Sequence, residues 1–359
     1  MAYWWHEKFG IGAMAVKDVH SFYNPYDSIG SDARRWLKAN FHTHGGVERK
    51  EFCGALPIRD VVDAYAKAGY DVLAMTNHNA YVPYMEKRDG ISLIDGIEYT
   101  YNALDMCFIG TTHFETSYQK AVRLANQQDC YWTPELLEMV AGHPSIKIAN
   151  FWNMEHQELV DKARQWGAFV LLCHPNRARQ SYWTLELLEK LTGYVGIEIL
   201  NTDVCLSGGS NGLRDKWDQL LTRGKVVYGF GNDDFHHWHN LGRAFNMVCA
   251  KSTGFADIKE AVEAGRFYAS TGLRLERFSF ENGKIAVKAK LPIPQEGDAF
   301  DYRFVGAEGK VLHQITASDA EYAVAPSERY VRVEATGENG SKMYLQPVFN
   351  RRYFKGMVL

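Results

Sequence analysis

The 359-residue chain lacks several features by which a protein commonly declares its function. Its six cysteines (Cys53, Cys107, Cys130, Cys173, Cys205 and Cys249) are scattered and form no C-x-x-C pair. That spacing excludes the usual zinc ribbon and dithiol redox centre, and most of these residues are expected to be buried thiols. No uninterrupted apolar run approaches the about 20 residues that cross a bilayer, and Met1 to Gly10 carries aromatic and charged residues where a secretory leader has a basic and then an apolar segment. The expectation is a cytoplasmic protein with no membrane partner. A dominant charge is missing too: the formal net charge is -3 and the pI about 6.5, so nothing attracts nucleic acid in bulk, although a local basic pocket is compatible with these values. Repeats, low-complexity tracts and long flexible linkers are absent, and the pattern specifies no oligomeric state.

What is present is a composition suited to a large core, with 46% hydrophobic and 23% charged residues. The length suits two domains, or one α/β barrel with an appendage. Residues 1–35 are rich in Trp, Tyr and Gly without periodicity and read as an extension packed on the main domain. From Trp36, strand-like runs (Asn40 to His42, Asp71 to Met75, Ile91 to Ile97, Ile146 to Ala149, Ala168 to Cys173, Val195 to Leu200, Lys225 to Phe230) alternate with helical patterns. The helices are expected over Pro57 to Ala68, Glu155 to Trp166 and Leu213 to Arg223, each stopped by a glycine. This alternation predicts an α/β barrel or doubly wound sheet, whose functional groups gather at the C-terminal ends of strands. After Gly272 the pattern changes to short alternating strands (Leu275 to Phe280, Ile285 to Ala289, Tyr302 to Val305, Tyr330 to Ala335), read as a small antiparallel β-domain over 273–359.

The residues that carry chemistry follow those runs. His42 and His44 stand two apart at a strand end, so both imidazoles can project to one side. His78 follows the run ending at Met75, and His174 follows Phe169 to Cys173. Glu98 and Glu198 end runs that are otherwise apolar, where an unpaired carboxylate would cost several kcal/mol and therefore needs a cation. Asp233, Asp234, His236 and His237 crowd one loop after Phe230. Any one of these has a structural explanation. Ligand-capable residues at successive strand ends point instead to a site holding more than one metal ion.

In this order the motifs Phe41-His42-Thr43-His44, Thr76-Asn77-His78-Asn79, Gly96-Ile97-Glu98, Cys173-His174-Pro175 and Asn232-Asp233-Asp234-Phe235-His236 resemble the polymerase-and-histidinol-phosphatase (PHP) superfamily of metal-dependent hydrolases, over residues 36–272. The flanking Trp36 to Asn40 and Tyr268 to Gly272 resemble its carbaryl-hydrolase-type (CehA/McbA) branch. The resemblance implies a distorted seven-stranded β/α barrel holding two or three ions of zinc, manganese or iron. It assigns His42, His44, Glu98 and Asp234 to a first ion, makes Glu98 a bridge to a second held by His174, and places His78 and His236 at a third. Three positions depart from the family pattern: Asn77 stands for an Asp, Cys53 for an Asp, and Asp105 for a His. Asp105 remains a candidate ligand, since carboxylates bind the same ions. His113, His156, His237 and His239 are assigned to supporting or surface roles.

The chemistry expected is hydrolysis by a water or hydroxide shared between two ions, with Glu98 and Asp234 as the central carboxylates and Arg177 as the catalytic cation. Arg177 and Arg179 read either as phosphate-binding groups or as solvated loop arginines. Asn201 is expected to position a loop or the substrate, and Glu198 reads as structural. The first substrate class is a small phosphate monoester or diester and the second a carbamate, ester or amide. A metal-stabilised binding protein without activity is the third reading.

Overall fold

The runs of Val, Leu, Ile and Phe after Trp36 become strands whose side chains are enclosed on both faces, so no alternation with polar residues is needed. The structure is a computed structural model describing residues 22–30, 34–46, 54–78, 88–101, 104–111, 154–175, 177, 182–206 and 214–354. The expected strand Ile146 to Ala149, together with Cys53, His113, Cys130 and Arg179, lies outside them. Among the described residues the first ten strands are β1 (Phe22–Tyr23), β2 (Arg35–Asn40), β3 (Val72–Met75), β4 (Ser92–Tyr101), β5 (Leu104–Ile109), β6 (Phe169–Leu172), β7 (Gly196–Asn201), β8 (Tyr228–Asn232), β9 (Phe245–Ala250) and β10 (Phe267–Ser270). Eight more follow: β11 (Arg274–Glu281), β12 (Lys284–Lys290), β13 (Phe300–Val305), β14 (Val311–Ala317), β15 (Ala320–Ala323), β16 (Tyr330–Gly337), β17 (Lys342–Leu345) and β18 (Val348–Asn350). The helices are α1 (Ile58–Lys67), α2 (His156–Gln165), α3 (Leu185–Lys190), α4 (Thr202–Leu206), α5 (Arg214–Thr222) and α6 (Phe255–Glu263).

The helices expected from the sequence form with amphipathic faces. α1 buries Val61, Val62 and Tyr65, and α2 buries Leu159, Val160 and Ala163. Both stop where a glycine supplies a left-handed residue, Gly69 at φ 72° and Gly167 at φ 87°. None of the described helices is long and apolar enough to cross a membrane. Cys107 and Cys173 are free and buried with sulfurs 3.3 Å apart, as the scattered thiols were expected to be.

The sheet departs from the expected seven-stranded barrel. Among the described residues one mixed sheet of 15 strands runs in the order β1-β18-β16-β17-β10-β9-β2-β3-β4-β5-β6-β7-β8, with β13 and β14 branching from β16. β2, β3 and β4 pair in parallel, as do β6, β7 and β8, whereas β5 is antiparallel to both β4 and β6. The cause is chain length: only residues 102–103 separate β4 from β5, far short of the dozen or more a parallel crossover needs. β5 went unread because no Gly or Pro marks the turn before it.

The ladder ends at β8, and side-chain amides occupy the edge that β8 leaves open. Asn246 receives the Gly231 N–H at 3.0 Å and donates to its carbonyl at 2.7 Å, while Gln346 does the same for Gly229 at 2.9 and 2.8 Å. These two amides act in place of a neighbouring strand and satisfy backbone groups that would otherwise be buried without partners. They tie β8 to β9 and to the segment after β17.

The strands expected beyond Gly272 form within a residue or two of their expected limits. Their sheet membership is divided. β10 pairs with β17, so the large sheet continues past Gly272, while β11, β12 and β15 form a separate three-stranded sheet. A buried ion network fastens β16 to α5. Arg332 donates from Nε to Asp218 Oδ1 at 2.8 Å and from Nη2 to Asp218 Oδ2 at 2.7 Å, Tyr330 donates to Asp218 at 3.0 Å, and Arg214 reaches Glu334 at 2.8 Å. Glu334 also receives Arg332 directly.

Replacing Arg332 by Met is expected to cost about 3–5 kcal/mol in denaturant unfolding, since it strands the buried Asp218 and Glu334 charges. Burial raises the Glu334 carboxyl, but Arg332 and Arg214 outweigh it and hold the group below its ordinary 4.5. Its contribution is therefore complete above pH 4.5 and lost as the pH falls below that value. Glu334→Gln should flatten this part of the stability–pH curve, measured by thermal melts between pH 3 and 7; an unchanged slope would show that another group governs it.

Candidate metal centre

Strand direction brings the chemistry to one end of the sheet. β2, β3, β4, β6, β7 and β8 deliver their C-terminal ends together, and antiparallel β5 begins there, which places Asp105 beside them. Past β2 the chain stays extended through a bridge between Thr43 and Phe235, so His42 and His44 project to the same side as expected. The bridge is fixed by His44 N–H to the Phe235 carbonyl at 3.0 Å and Asp234 N–H to the His42 carbonyl at 3.1 Å. Glu98 is not at a strand end but inside the longer β4, where it forms a parallel bridge with His78. Both His174 (φ 29°) and Asp234 (φ 50°) occupy the left-handed region, which is unfavourable for residues with a Cβ and persists only when surrounding bonds enforce it.

Two carboxylates divide the site into halves. His42 Nε2 lies 3.2 Å from Glu98 Oε2 and 3.2 Å from Asp234 Oδ1, and His44 Nε2 lies 3.2 Å from each of the same oxygens. The other oxygens face His174, whose Nε2 is 3.3 Å from Glu98 Oε1, 3.9 Å from Asp234 Oδ2 and 3.8 Å from Asp105 Oδ2. His78 Nδ1 approaches Glu98 Oε2 at 3.1 Å and His236 Nδ1 approaches Asp234 Oδ1 at 3.4 Å. These two imidazoles are 29% and 18% exposed, whereas His42 and His44 are fully enclosed, so the described site opens on the side of His78 and His236.

The donors fit a divalent transition-metal ion. His42 Nε2, Glu98 Oε2 and Asp234 Oδ1 are buried and make no hydrogen bond, an arrangement costly to maintain without a cation. Four ligands at about 2.0–2.1 Å from a tetrahedral ion stand about 3.3 Å from one another. The 3.2 Å separations match that spacing. Electrostatics are complementary. Burial raises the Glu98 and Asp234 carboxyls, but His42 above all holds both well below the usual carboxylate range. Burial likewise lowers His42, yet Asp234, Glu98 and Glu198 carry it well above the ordinary imidazole value.

The other sequence-predicted residues find distinct places. Asp105 is buried beside His174, its Oδ2 receiving the Tyr182 hydroxyl and standing 3.9 Å from Arg177 Nη1. Arg177 is half exposed at the rim. Asn77 is turned away from the donors and accepts the Gly45 N–H at 3.0 Å while donating to the Gly45 carbonyl at 2.7 Å. An aspartate could not make the second bond, which gives the departure at this position a physical reason. His237 and His239 are exposed, and His156 packs against Trp183.

Sequence reasoning missed the second layer. Tyr182 carried no signal, and Asn232 stood within a motif without an assigned role. Asp233 accepts the Tyr65 hydroxyl at 3.0 Å and the N–H groups of Gly242, Arg243 and Ala244 at 2.7, 2.9 and 2.9 Å, anchoring the loop that carries Asp234. The only available hint was a pair of adjacent acids after an apolar strand, with no indication of which one faces the site.

No protein-family model and no curated protein matches the chain. Among solved structures, it is similar to a two-domain protein from Bacteroides vulgatus containing a predicted PHP-like metal-dependent phosphoesterase, at 16% identity over 88% of this chain and 96% of that one, TM-score 0.46. A proposed metal-dependent phosphoesterase from Bifidobacterium adolescentis matches at 14% identity over 63% and 96%, TM-score 0.38. A lesion-specific endonuclease from Pyrococcus furiosus matches at 12% identity over 76% and 62%, TM-score 0.40.

The purified chain is expected to carry at least two transition-metal ions, and Glu98→Gln to lose most of them, because the amide keeps the volume but not the charge shared by both halves. Elemental analysis of both proteins at equal folded concentration checks this. Unchanged metal content in the variant would remove Glu98 from the centre.

Proposed function

We propose that the chain is a metal-dependent hydrolase acting on a small phosphate monoester or diester. The observation that carries this reading is the two-sided use of Glu98 and Asp234, each offering one oxygen toward His42 and His44 and the other toward His174. In this reading His42, His44, Glu98 and Asp234 hold one ion, His174 and Asp105 serve a second, and His78 and His236 serve a third. Mixed imidazole and carboxylate donors suit zinc, manganese or iron. Such ions would supply an ionised water near neutral pH and polarise the scissile group. The hydrolase unit is assigned to residues 36–272, following the N-terminal extension, with 273–359 as a β-rich appendage that shapes and stabilises it.

The chain's own residues divide the remaining work. Burial and Asp105 push the Tyr182 phenol up, so it stays protonated and donates to Asp105. Arg177, at the rim, supplies two parallel N–H groups suited to phosphate oxygens. The same arginine supports the second reading, a carbamate, ester or amide hydrolase: its contact with Asp105 partly neutralises it, which suits an uncharged substrate.

A panel of p-nitrophenyl phosphate, bis-p-nitrophenyl phosphate, aryl carbamates and aryl esters separates these readings. Phosphoester turnover abolished by chelation and restored by metal is the expected result. Arg177→Ala should raise KM for the phosphoester about 10- to 100-fold, the value of one charge-assisted hydrogen-bonded contact, with little change for a carbamate. Turnover of carbamates alone would establish the second reading, and bound metal with no turnover of any substrate would leave a metal-stabilised binding protein.

A further inference from the structure

We infer that Glu198, which is not placed to be a ligand, is the positioning residue on which metal affinity in both halves of the centre depends; this rests on the metal-dependent reading above. The carboxylate is completely buried and its hydrogen-bonding capacity is filled from separate strand ends. Oε1 receives His42 Nδ1 at 2.9 Å and Asn232 Nδ2 at 2.9 Å, and Oε2 receives the His174 backbone N–H at 2.8 Å and Asn201 Nδ2 at 2.8 Å.

Each bond acts on a proposed ligand. With a carboxylate at Nδ1, the His42 ring is held with its proton on Nδ1, leaving the Nε2 lone pair directed at the space between Glu98 and Asp234. The bond to the His174 N–H supports that residue's left-handed backbone and thereby fixes its ring on the other side of Glu98. Asn201 carries the influence further, since its Nδ2 also donates to Asp234 Oδ2 at 3.1 Å. Asn232 completes the circuit: its Oδ1 accepts the Phe41 N–H at 2.9 Å, at the start of the segment bearing His42 and His44. One carboxylate thus orients a ring on the β2 side, a backbone after β6 and a carboxylate after β8. Glutamine at this position would turn an NH2 toward donors already present, so at least one of these bonds must break.

The test compares zinc affinity of the wild-type chain and Glu198→Gln by chelator competition, together with ¹⁵N NMR of histidine-labelled, zinc-loaded wild-type protein. The expected results are affinity lowered about 10- to 100-fold in the folded variant, and a His42 ring protonated at Nδ1 and metallated at Nε2. Affinity within about twofold of wild type would overturn the inference. If the variant does not fold, the wild-type spectrum decides: a His42 ring without a proton on Nδ1 overturns it and a protonated one sustains it. A wild-type chain that binds no zinc, manganese or iron would fail the hydrolase reading itself, which this comparison keeps separate.

Discussion

The rest of the structure is arranged around the enclosure of mutually attracting charges at one end of a sheet. His42, His44, Glu98, His174, Glu198 and Asp234 are all buried, and isolated charges in such surroundings would be severely destabilising. They are tolerated because imidazoles and carboxylates alternate at hydrogen-bond or ligand spacing. That requirement dictates much else: strands must end together, loops must adopt unfavourable backbone conformations at His174 and Asp234, and a second layer of amides and carboxylates must hold each ring. The strain at the two left-handed residues is offset by bonds reaching them from other elements.

The side-chain amides form a consistent device. Asn77 clamps Gly45, Asn201 and Asn232 complete Glu198, and Asn246 and Gln346 satisfy the outer edge of β8. Each offers a donor and an acceptor from one planar group, which an ionised carboxylate cannot match. The open end of the sheet and the anchoring of the site therefore use the same chemistry, and β8 links the two because it carries both the amide-capped glycines and Asn232.

The segment beyond Gly272 shares in this architecture through two unlike contacts. β17 extends the large sheet from β10, and the buried Arg332 network attaches β16 to α5. Burial of a guanidinium whose three nitrogens each donate a hydrogen bond contributes orientation as well as stability, since a small shift of α5 would leave Asp218 with an unpaired charge. The appended strands are thereby coupled to α5, which lies in the chain between β8 and β7, the strand bearing Glu198.

The sequence by itself determined the local order: helices where apolar residues recur on one face and a glycine stops them, strands where β-branched and aromatic residues run together, and imidazoles or carboxylates at the ends of those apolar runs. These follow from interactions between near neighbours, so His42, His44, Glu98, His174 and Asp234 were legible as candidates. The tertiary structure decided what depends on distant pairing. Among the described residues, antiparallel β5 was imposed by a short connection without Gly or Pro, the sheet grew to 15 strands because later strands joined its edge, and Glu198 gained its role because its partners come from three other strand ends. A buried glutamate has the same local signature whether it faces a cation or accepts hydrogen bonds, and only the groups brought to it through space distinguish the two.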